Sequence, residues 1–521
     1  MSFKLTYSTM FDPPDELHRR FEEAVARVRL GLGARHLMHI AGQDVDGPST
    51  IEKHSPIDGT LLGCFAAADA EQVGVAVDAA HAAFPAWRNT PTSERVRLAK
   101  RAAALIEERV YDIAAALCLE VGKNRLEALA ETQEVAEFFN GYADDFAKNG
   151  GFDRVLPDDP LKDYRSHNRS VLKPHGVWAV IAPFNFPLAL AAGPAAAALV
   201  TGNTVVVKGA SDTPWAVRLL ADCIRDAGFP AGVFNAVAGS GSVVGEALVS
   251  HPRVAGITFT GSYEVGMDLA RRMVAGPWVR PCIAEMGGKN ACIVTAGADL
   301  DRAATGIVRS AFGLGGQKCS ALSRIYVVDA VADELTAKII ALTEAIRVGD
   351  PTRRENWLGP VISRGAVAKY ERFMVELVAG GGRILSGGRR LVEGELANGC
   401  FVAPTLAEAP HHHPLFATEM FLPVVMLARV AGVEEGVARA NASPLGLTAG
   451  VYGSARDVAY FLEHIEAGTT YVNRPQGATT GAWPGYQAFA GWKGSASTGK
   501  AIGSFYYLPQ YLREQSQTVV E

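Results

Sequence analysis

The spacing of apolar residues separates a helical amino-terminal part from two later regions in which short apolar runs alternate with helices. In residues 92–117 apolar side chains recur every three or four positions, which predicts one long amphipathic helix beginning near Thr92 or Ser93. Its buried face would consist of Leu98, Ala102, Leu105, Ile106, Val110, Ile113 and Leu117. Before it, a charged helix is predicted from Asp15 to Arg29, and the segment LMHIAGQDVDG predicts a pair of strands.

The first alternating region starts at Gly176. Its β-branched runs, GVWAVIAP, NTVVVKGA, FNAVAG and VAGITFTG, are interspersed with helical stretches, Pro214 to Ala227 and Ser242 to Val249. Strands that alternate with helices of this length predict right-handed crossovers and a parallel sheet covered on both faces. This is a doubly wound, nucleotide-binding pattern.

The second alternating region starts after Lys289. It comprises NACIVT, a helix from Leu300 to about Phe312, the run SRIYVV and a helix from Asp333 to Ile346. The polar stretch 151–171 predicts two crossing strands that belong to neither core. The fold class is therefore α/β, with two parallel-sheet regions.

Composition excludes several classes of partner. The chain of 521 residues has a net charge of −5 with scattered Lys and Arg, so no nucleic-acid partner is expected. The longest apolar run, Pro187 to Val200, is too short to span a bilayer and predicts a buried helix, and the amino terminus lacks the apolar core of a signal peptide. Seven cysteines without a CxxC pair indicate a reducing compartment, which we expect to be the cytoplasm.

Three consecutive histidines, His411 to His413, invite a metal hypothesis. They lie between Pro410 and Pro414 in a predicted loop, without a spaced carboxylate or cysteine partner. We therefore predict no metal site.

Cys319, in GGQKCSALSR, is the cysteine best placed for chemistry. It falls in the connection between a predicted helix and the strand SRIYVV, and catalytic residues concentrate in loops above α/β scaffolds. Gly315, Gly316 and Ser320 leave room for a substrate, and Lys318 brings a positive charge beside a potential thiolate. On this window alone, a nucleophile and a buried structural cysteine both stay open.

Two glycine patterns compete for a phosphate-binding role. Gly239, Gly241 and Gly245 have GxG spacing, but the third glycine comes one residue late for a dinucleotide fingerprint. GSYEVG, from Gly261 to Gly266, directly follows the strand VAGITFT and opens a helix, whose N–H groups and dipole favour a pyrophosphate. An ordinary glycine turn is the alternative.

Two polar residues near predicted strands complete the candidate chemistry. Glu285, in AEMGGK, is either a solvated surface charge or, if it faces Cys319, a general base for water. Asn185, in IAPFNFP, is either a helix-capping turn residue or an amide donor to an oxyanion.

The motifs IAPFNFP, VVVKGAS, FTGSYEVG, EMGGKN, GGQKCS and EMFLP occur in this order, and over about residues 35–515 the chain strongly resembles the aldehyde dehydrogenase superfamily. The resemblance implies an NAD(P)-binding domain in residues 1–150 and 172–288, which includes an amino-terminal helical arm. It also implies a catalytic domain in residues 289–481. A small β extension in residues 151–171 and 482–521 would join subunits into at least a dimer.

The same match implies roles for individual residues. Cys319 would be the nucleophile, Glu285 the base that activates water, and Asn185 an oxyanion donor together with the Cys319 N–H. The implied reaction converts an aldehyde through a thiohemiacetal and a thioester to a carboxylic acid, with hydride passing to NAD or NADP. The implied cofactor contacts are Lys208, Ser211, Gly241, Gly261, Ser262, Gly266, Glu419 and Phe421.

Within the superfamily the chain most resembles 1-pyrroline-5-carboxylate dehydrogenases, which oxidise glutamate γ-semialdehyde to glutamate in proline breakdown. The likeness lies in KCSALSR, YVNRPQGATTGAWPGYQ and the tail FYYLPQYLREQSQTVVE. It implies a substrate site whose carboxylate anchor and apolar walls are Lys318, Ser320, Gly477, Ala478, Phe186 and Phe489. The alternatives are that Lys318 only lowers the pKa of the Cys319 thiol, or that another aldehyde, such as succinate semialdehyde or an aliphatic or aromatic one, is the substrate. A catalytically silent protein of this fold is a more distant alternative.

Two departures from the family pattern affect these expectations. Lys208, Gly209, Ala210 and Ser211 stand where many members have Lys-Pro-Ser-Glu, so the carboxylate that binds the adenosine ribose is missing and NADP becomes acceptable beside NAD. Leu422 replaces the usual glycine of the Glu419 motif, and Ala488 and Ala490 flank Phe489 where Pro and Gly are common.

Overall fold

The structure is a computed structural model that describes residues 5–6, 9–10, 13–160, 162–474, 483–500 and 502–521. The helices are α1 Asp15–Leu30, α2 Ala70–Arg88, α3 Thr92–Glu108, α4 Val110–Val121, α5 Arg125–Lys148, α6 Ala189–Val200, α7 Pro214–Ala227, α8 Glu246–Ser250, α9 Tyr263–Val274, α10 Leu300–Phe312, α11 Asp329–Glu344, α12 Arg364–Ala379, α13 Val433–Asn441 and α14 Ala455–His464. Within the described residues, every helix is too short or too polar to span a bilayer.

The strands are β1 Ala34–His36, β2 Met38–Ile40, β3 Gln43–Val45, β4 Ser49–His54, β5 Leu61–Ala67, β6 Asp153–Leu156, β7 Ser166–Pro174, β8 Val177–Ile181, β9 Thr204–Lys208, β10 Phe234–Val237, β11 Val254–Thr260, β12 Cys282–Glu285, β13 Asn290–Val294, β14 Leu322–Val328, β15 Arg383–Ser386, β16 Thr405–Glu408, β17 Val424–Val430, β18 Leu445–Gly446, β19 Thr448–Tyr452, β20 Thr469–Val472, β21 Trp492–Lys493 and β22 Leu512–Val520.

The first large sheet, called the first sheet below, has the strand order β12-β11-β8-β9-β10-β2-β3. Strands β8 to β12 are parallel, and β2 and β3 extend the sheet antiparallel beside β10. In β9, Val205 and Val207 pack into the core that contains α6, whereas Val206 packs into the core that contains α2. Burial on both faces explains why these strands are continuously apolar.

The second sheet has the order β15-β16-β17-β14-β13-β19-β20 and is parallel except for β15. Helices α10 and α11 contribute to the core on one face, and α12, α13 and α14 contribute to the core on the other. Strands β6, β7 and β22 form a separate antiparallel sheet with largely exposed side chains. The predicted α/β class with two doubly wound sheets is confirmed.

Two local predictions were wrong. The helix predicted across residues 92–117 is two helices, α3 and α4, which are separated at Arg109. The Arg109 guanidinium lies 2.6 Å from Asp226 of α7. Apolar periodicity missed this break because both helices pack into the same core. The stretch predicted as a helix from Ser242 to Val249 is a π-helical turn, Gly241–Gly245, followed by the short α8.

Candidate active site

The carboxyl ends of the parallel strands of the first sheet bring together residues far apart in the sequence. Asn185 follows β8, Lys208 ends β9, Gly241 follows β10, Ser262 follows β11 and Glu285 ends β12. In open α/β sheets, ligands bind outside this edge. The chain then passes from Glu285 through two glycines into the amino end of β13, so this edge of the first sheet faces the second sheet.

The turn at the start of α9 is suited to hold a phosphate group. Ser262 is the N-cap and accepts a hydrogen bond of 3.4 Å from the Val265 N–H, and Gly241 begins the neighbouring exposed turn. A Cβ on Gly261 would lie 2.4 Å from the Phe259 ring, and one on Gly266 would lie 2.5 Å from the Met286 sulfur. Both glycines therefore allow the helix to approach the sheet closely, which leaves N–H groups at its amino end for an anion.

Lys208 and Ser211 lie next to this turn. The Lys208 ammonium is buried and donates to the Gly209 carbonyl at 2.9 Å, and Ser211 Oγ donates to the Gly239 carbonyl at 3.0 Å. Burial lowers the pKa of Lys208 to about 8, although the negative charge of Asp212 opposes this shift. Asp212, one residue after the position where the family carboxylate is missing, was not singled out from the sequence.

The Cys319 loop is held by distant residues. The Asn290 side chain donates to the carbonyls of Cys319 at 2.7 Å and Ala321 at 2.8 Å, and it accepts from the Thr448 N–H at 3.0 Å. A Cβ on Gly288 would lie 2.5 Å from the Cys319 carbonyl, so glycine permits this approach. Sequence reasoning had noted the glycines of EMGGKN but not Asn290, whose partners are 29 to 158 positions away.

The surroundings of the Cys319 thiol favour its neutral form. Burial raises its pKa, and the negative charges of Glu285 and Glu419 raise it further, while the N–H groups of Ser320 and Cys319 itself lower it. The suggestion that Lys318 lowers the thiol pKa is therefore wrong. The Lys318 ammonium instead lies 2.9 Å from Glu127 on α5, which offsets its charge.

Glu285 is buried rather than solvated, which rules out the surface-charge alternative. Its Oε1 has no hydrogen-bond partner among the described residues, and the carboxyl group accepts from the backbone N–H of Ile502. Burial raises the pKa of Glu285 to about 8. A carboxyl group beside a thiol can take a proton from water once it is ionised, and the raised pKa opposes that ionisation at neutral pH.

Asn185 is also buried, with 2% of its surface exposed. Its side chain does not cap α6, because the helix begins after Leu188 without a side-chain cap. The capping alternative is therefore wrong. The first N–H groups of α6, those of Leu188 and Ala189, are instead satisfied by Glu131 at 3.0 and 3.1 Å.

Glu131 belongs to a buried ion pair that sequence reasoning missed. Its carboxylate lies 2.6 Å from the ammonium of Lys123, and both side chains are fully buried. Lys123 also lies 3.5 Å from the centre of the Phe186 ring, a cation–π contact. The pair thus holds Phe186 and the start of α6, which directly follow Asn185 in the chain. Lys123 precedes α5 and Glu131 lies within it, and their i, i+8 spacing offered no recognisable motif.

Glu419 and Phe421 lie opposite the glycines that follow Glu285. Glu419 accepts from the Gly288 N–H at 2.9 Å, and a Cβ on Gly287 would lie 2.1 Å from its carboxylate. Phe421 has a positive φ of 55°, and its ring meets that of Phe184 edge-on at 5.7 Å. The EMFLP segment therefore packs against both EMGGKN and IAPFNFP.

The remaining predicted substrate residues are only partly described. Ser320 is half-buried and its carbonyl accepts from Thr448 Oγ1 at 3.4 Å, and Phe489 pairs through its backbone with Ile502. Gly477 and Ala478 lie outside the described residues. The histidine triplet carries no metal cluster in the described part of the chain, and His413 is buried, with its ring 3.1 Å from both the Leu415 N–H and the Leu377 carbonyl.

Comparison with known proteins places this arrangement in a class. A sequence profile described as the aldehyde dehydrogenase family matches residues 43–516. The chain belongs to the aldehyde dehydrogenase family, whose members are oxidoreductases. It is 37% identical to the 1-pyrroline-5-carboxylate dehydrogenase of Geobacillus thermodenitrificans over 516 residues, 97% of either chain, and 34% identical to that of Bacillus subtilis over 96% of either chain.

Solved structures of related proteins have the same fold as this chain. The 1-pyrroline-5-carboxylate dehydrogenase from Thermus with bound NAD has a TM-score of 0.92 at 34% identity, covering 100% of this chain and 99% of that chain. Proline utilization A from Bdellovibrio bacteriovorus has a TM-score of 0.90 at 33% identity, with 96% of this chain matched to 52% of that longer one. The fold is therefore that of aldehyde dehydrogenases along its whole length.

Proposed function

We propose that the protein oxidises L-glutamate γ-semialdehyde, formed from 1-pyrroline-5-carboxylate, to L-glutamate in proline breakdown, with NAD as cofactor. The observation that carries this proposal is the meeting of Cys319 and Glu285 between the two sheets, next to the Lys318–Glu127 ion pair. Full-length similarity to 1-pyrroline-5-carboxylate dehydrogenases supports the same substrate.

The reaction uses the two groups in succession. The Cys319 thiol first loses its proton to water, and the resulting thiolate adds to the aldehyde carbon. The oxygen of the tetrahedral adduct accepts hydrogen bonds from the Asn185 amide and the Cys319 N–H. The adduct then loses hydride as the thioester forms, and NAD held by the residues described below would supply the acceptor for that hydride. Glu285 then takes a proton from water, which attacks the thioester carbon, releases the Cys319 thiolate and leaves the carboxylic acid.

The residues present fit a dinucleotide. The amino end of α9 at Ser262 offers N–H groups for the pyrophosphate, with Gly241 on the adjacent turn, and Lys208 would bind the adenosine ribose. Glu419, which is half-buried and accepts a hydrogen bond from the Gly288 N–H, would bind the nicotinamide ribose, with Phe421 beside it. Ser211 carries no charge that would exclude a 2′-phosphate, so we propose NADP as a weaker alternative.

The substrate proposal depends on charge complementarity. A semialdehyde of glutamate carries an α-carboxylate and an α-ammonium group, and the Lys318–Glu127 pair presents one cation and one anion near Cys319. Lys318 and Ser320, with the N–H groups of Gly477 and Ala478, would bind the carboxylate, and Phe186 and Phe489 would flank the aliphatic stem. A simple aliphatic or aromatic aldehyde gains nothing from either charge.

We further propose that the protein acts in the cytoplasm as a homo-oligomer of at least two subunits. The exposed antiparallel sheet of β6, β7 and β22 would supply the pairing surface. Sedimentation of the purified protein tests this, and a single species of 55.2 kDa would contradict it.

The deciding experiment is an aldehyde panel assayed with NAD and with NADP. Reduced-cofactor formation is expected to be fastest with glutamate γ-semialdehyde, slower with succinate semialdehyde, and slowest with aliphatic and aromatic aldehydes. Lys318→Met should raise the KM for the first substrate about ten-fold or more and leave that for a neutral aldehyde unchanged. A preference for an aldehyde without an α-carboxylate would contradict the proposed substrate.

A further inference from the structure

The face of the first sheet that carries Glu285 also carries Thr258. In the parallel register of β11 and β12, Thr258 pairs with Ile283 and Thr260 pairs with Glu285. Directly paired residues point to the same face, as do residues two apart on one strand. The Thr258 hydroxyl therefore lies on the same face as the Glu285 carboxyl, about 7 Å away along the strand direction.

Three buried tyrosines, Tyr142, Tyr507 and Tyr511, pack against this face, and we call them the tyrosine cluster. Thr258 Oγ1 and the Tyr511 hydroxyl share a hydrogen bond of 2.9 Å, and Tyr511 donates to the Tyr507 hydroxyl at 3.0 Å. The Tyr507 ring stacks on that of Tyr142 at 5.7 Å. Thr258, Tyr511 and Tyr507 are thus joined by hydrogen bonds, and Tyr142 packs against Tyr507 through its ring.

The cluster and Glu285 bind consecutive N–H groups of one backbone segment. The Ile502 N–H donates to the Glu285 carboxyl group, and the next one, of Gly503, donates to the Tyr142 hydroxyl at 2.9 Å. The negative charge of Glu285 also raises the pKa of all three tyrosines. Glu285 is therefore within electrostatic range of the whole cluster.

Within the part of the chain that the structure describes, this region contains two hydroxyl groups with an unused proton and one carboxylate oxygen without a donor. The hydroxyls of Tyr142 and Tyr507 each accept a hydrogen bond, and neither proton has an acceptor among the described residues. Glu285 Oε1 has no donor in the same part of the chain. Buried polar groups in native proteins are normally paired, so the two spare hydroxyl protons and the spare carboxylate oxygen suit one another.

We propose that Tyr142 and Tyr507 are positioning residues for the general base: their hydroxyls donate to the Glu285 carboxylate when it is ionised. The inference rests on the proposed function, in which Glu285 activates water. Glu285 and Tyr142 contact consecutive residues, Ile502 and Gly503, and Oε1 would reach the hydroxyls by a rotation of the Glu285 side chain. The other titratable group that faces Glu285 is the Cys319 thiol from the catalytic loop.

This arrangement resolves a conflict in the site. Burial, only partly opposed by the Ile502 N–H, raises the pKa of Glu285 to about 8, and a protonated carboxyl group cannot take a proton from water. Hydrogen bonds to the ionised form favour that form and lower the pKa of the base. The activity of the wild-type protein is therefore expected to rise at a lower pH than that of a variant without the hydroxyls.

The test is the pH dependence of acyl-enzyme hydrolysis in Tyr142→Phe, Tyr507→Phe and the double variant, followed by chemical quench. Each single variant should shift the acid limb upward by about one pH unit and slow hydrolysis about two-fold at pH 7. The double variant should shift it by about two units and slow hydrolysis about ten-fold at pH 7, and all three should match the wild type above about pH 9. The rate of the first burst of reduced cofactor should not change. Tyr370→Phe is the matched control. Tyr370 is a buried tyrosine in the core of the second sheet, and its hydroxyl donates to the Ala403 carbonyl at 2.8 Å.

Failure of the inference and failure of the proposed function give different results. If Glu285→Gln still hydrolyses the acyl-enzyme at the wild-type rate, Glu285 is not the base. If Glu285→Gln is inactive in hydrolysis but the tyrosine variants keep the wild-type acid limb, the tyrosines do not position it. A loss of hydrolysis that is equal at every pH would indicate a structural effect only, and would also overturn the inference.

Discussion

The turn that starts α9 and the loop that carries Cys319 are both rich in glycine, yet they are held in different ways. In the turn, Ser262 caps the helix through Val265, three residues along the chain. In the loop, the Cys319 carbonyl is held by Asn290 from 29 residues away, and Lys318 is held by Glu127 from 191 residues away. The comparison shows that an anion site can be built from local sequence, whereas the nucleophile is positioned by the assembled fold.

The largest effect that separates the two regions is expected from Cys319→Ala. Because the variant lacks the nucleophile, aldehyde oxidation should fall by about 10⁴-fold or more. Binding of NAD, measured by calorimetry, should stay unchanged because the α9 turn is untouched. Cys282→Ala, at a half-buried free cysteine that starts β12, is the control. Cofactor reduction that persists in Cys319→Ala would contradict the assignment.

A smaller effect, confined to hydrolysis of the thioester, is expected from Glu285→Gln. The amide keeps the shape of the side chain but cannot accept a proton, so the thioester should form and then hydrolyse about 10²- to 10⁴-fold more slowly. A burst of one equivalent of reduced cofactor followed by slow turnover would be the signature in stopped flow. If formation of the thioester slows as much as its hydrolysis, Glu285 acts in both steps of the reaction.

The same comparison explains how much the sequence could predict. Strands β8 to β11 of the first sheet, β13 and β14 of the second, the α9 turn and Cys319 all follow from local patterns, such as apolar runs and glycine spacing. The Lys123–Glu131 pair and the Asn290 contacts could not be found in this way, because their partners come together only when the sheets and α5 pack. For the same reason the sequence suggested a lowered thiol pKa from Lys318, whereas burial, Glu285 and Glu419 raise the pKa of Cys319 and Glu127 pairs with Lys318.

Asn290→Ala tests whether the Cys319 loop depends on this tertiary support. The change leaves the carbonyls of Cys319 and Ala321 and the Thr448 N–H without their partner, so the free energy of unfolding should fall by about 2–3 kcal/mol. Turnover should fall about ten-fold because the nucleophile is less well positioned. Thermal unfolding and steady-state kinetics measure the two effects.

Asn441→Ala is the matched control, because that half-buried side chain also bonds two backbone groups, the His464 carbonyl and the Glu466 N–H. It should lower stability by less than about 1 kcal/mol and leave turnover unchanged. If Asn290→Ala unfolds at the wild-type temperature with full activity, the loop does not need this side chain.

The smallest effect is expected in the locally built region, at Asp212. Its exposed carboxylate raises the pKa of the buried Lys208, and a negative charge here would repel a 2′-phosphate on the adenosine ribose. Asp212→Asn should therefore raise kcat/KM with NADP relative to NAD by about two- to three-fold at low ionic strength, and the gain should shrink in about 0.5 M salt because exposed charges are screened. Asp329→Asn, an exposed carboxylate on α11, is the control. An unchanged cofactor ratio in Asp212→Asn at low salt would mean that this carboxylate does not replace the one missing from the family motif.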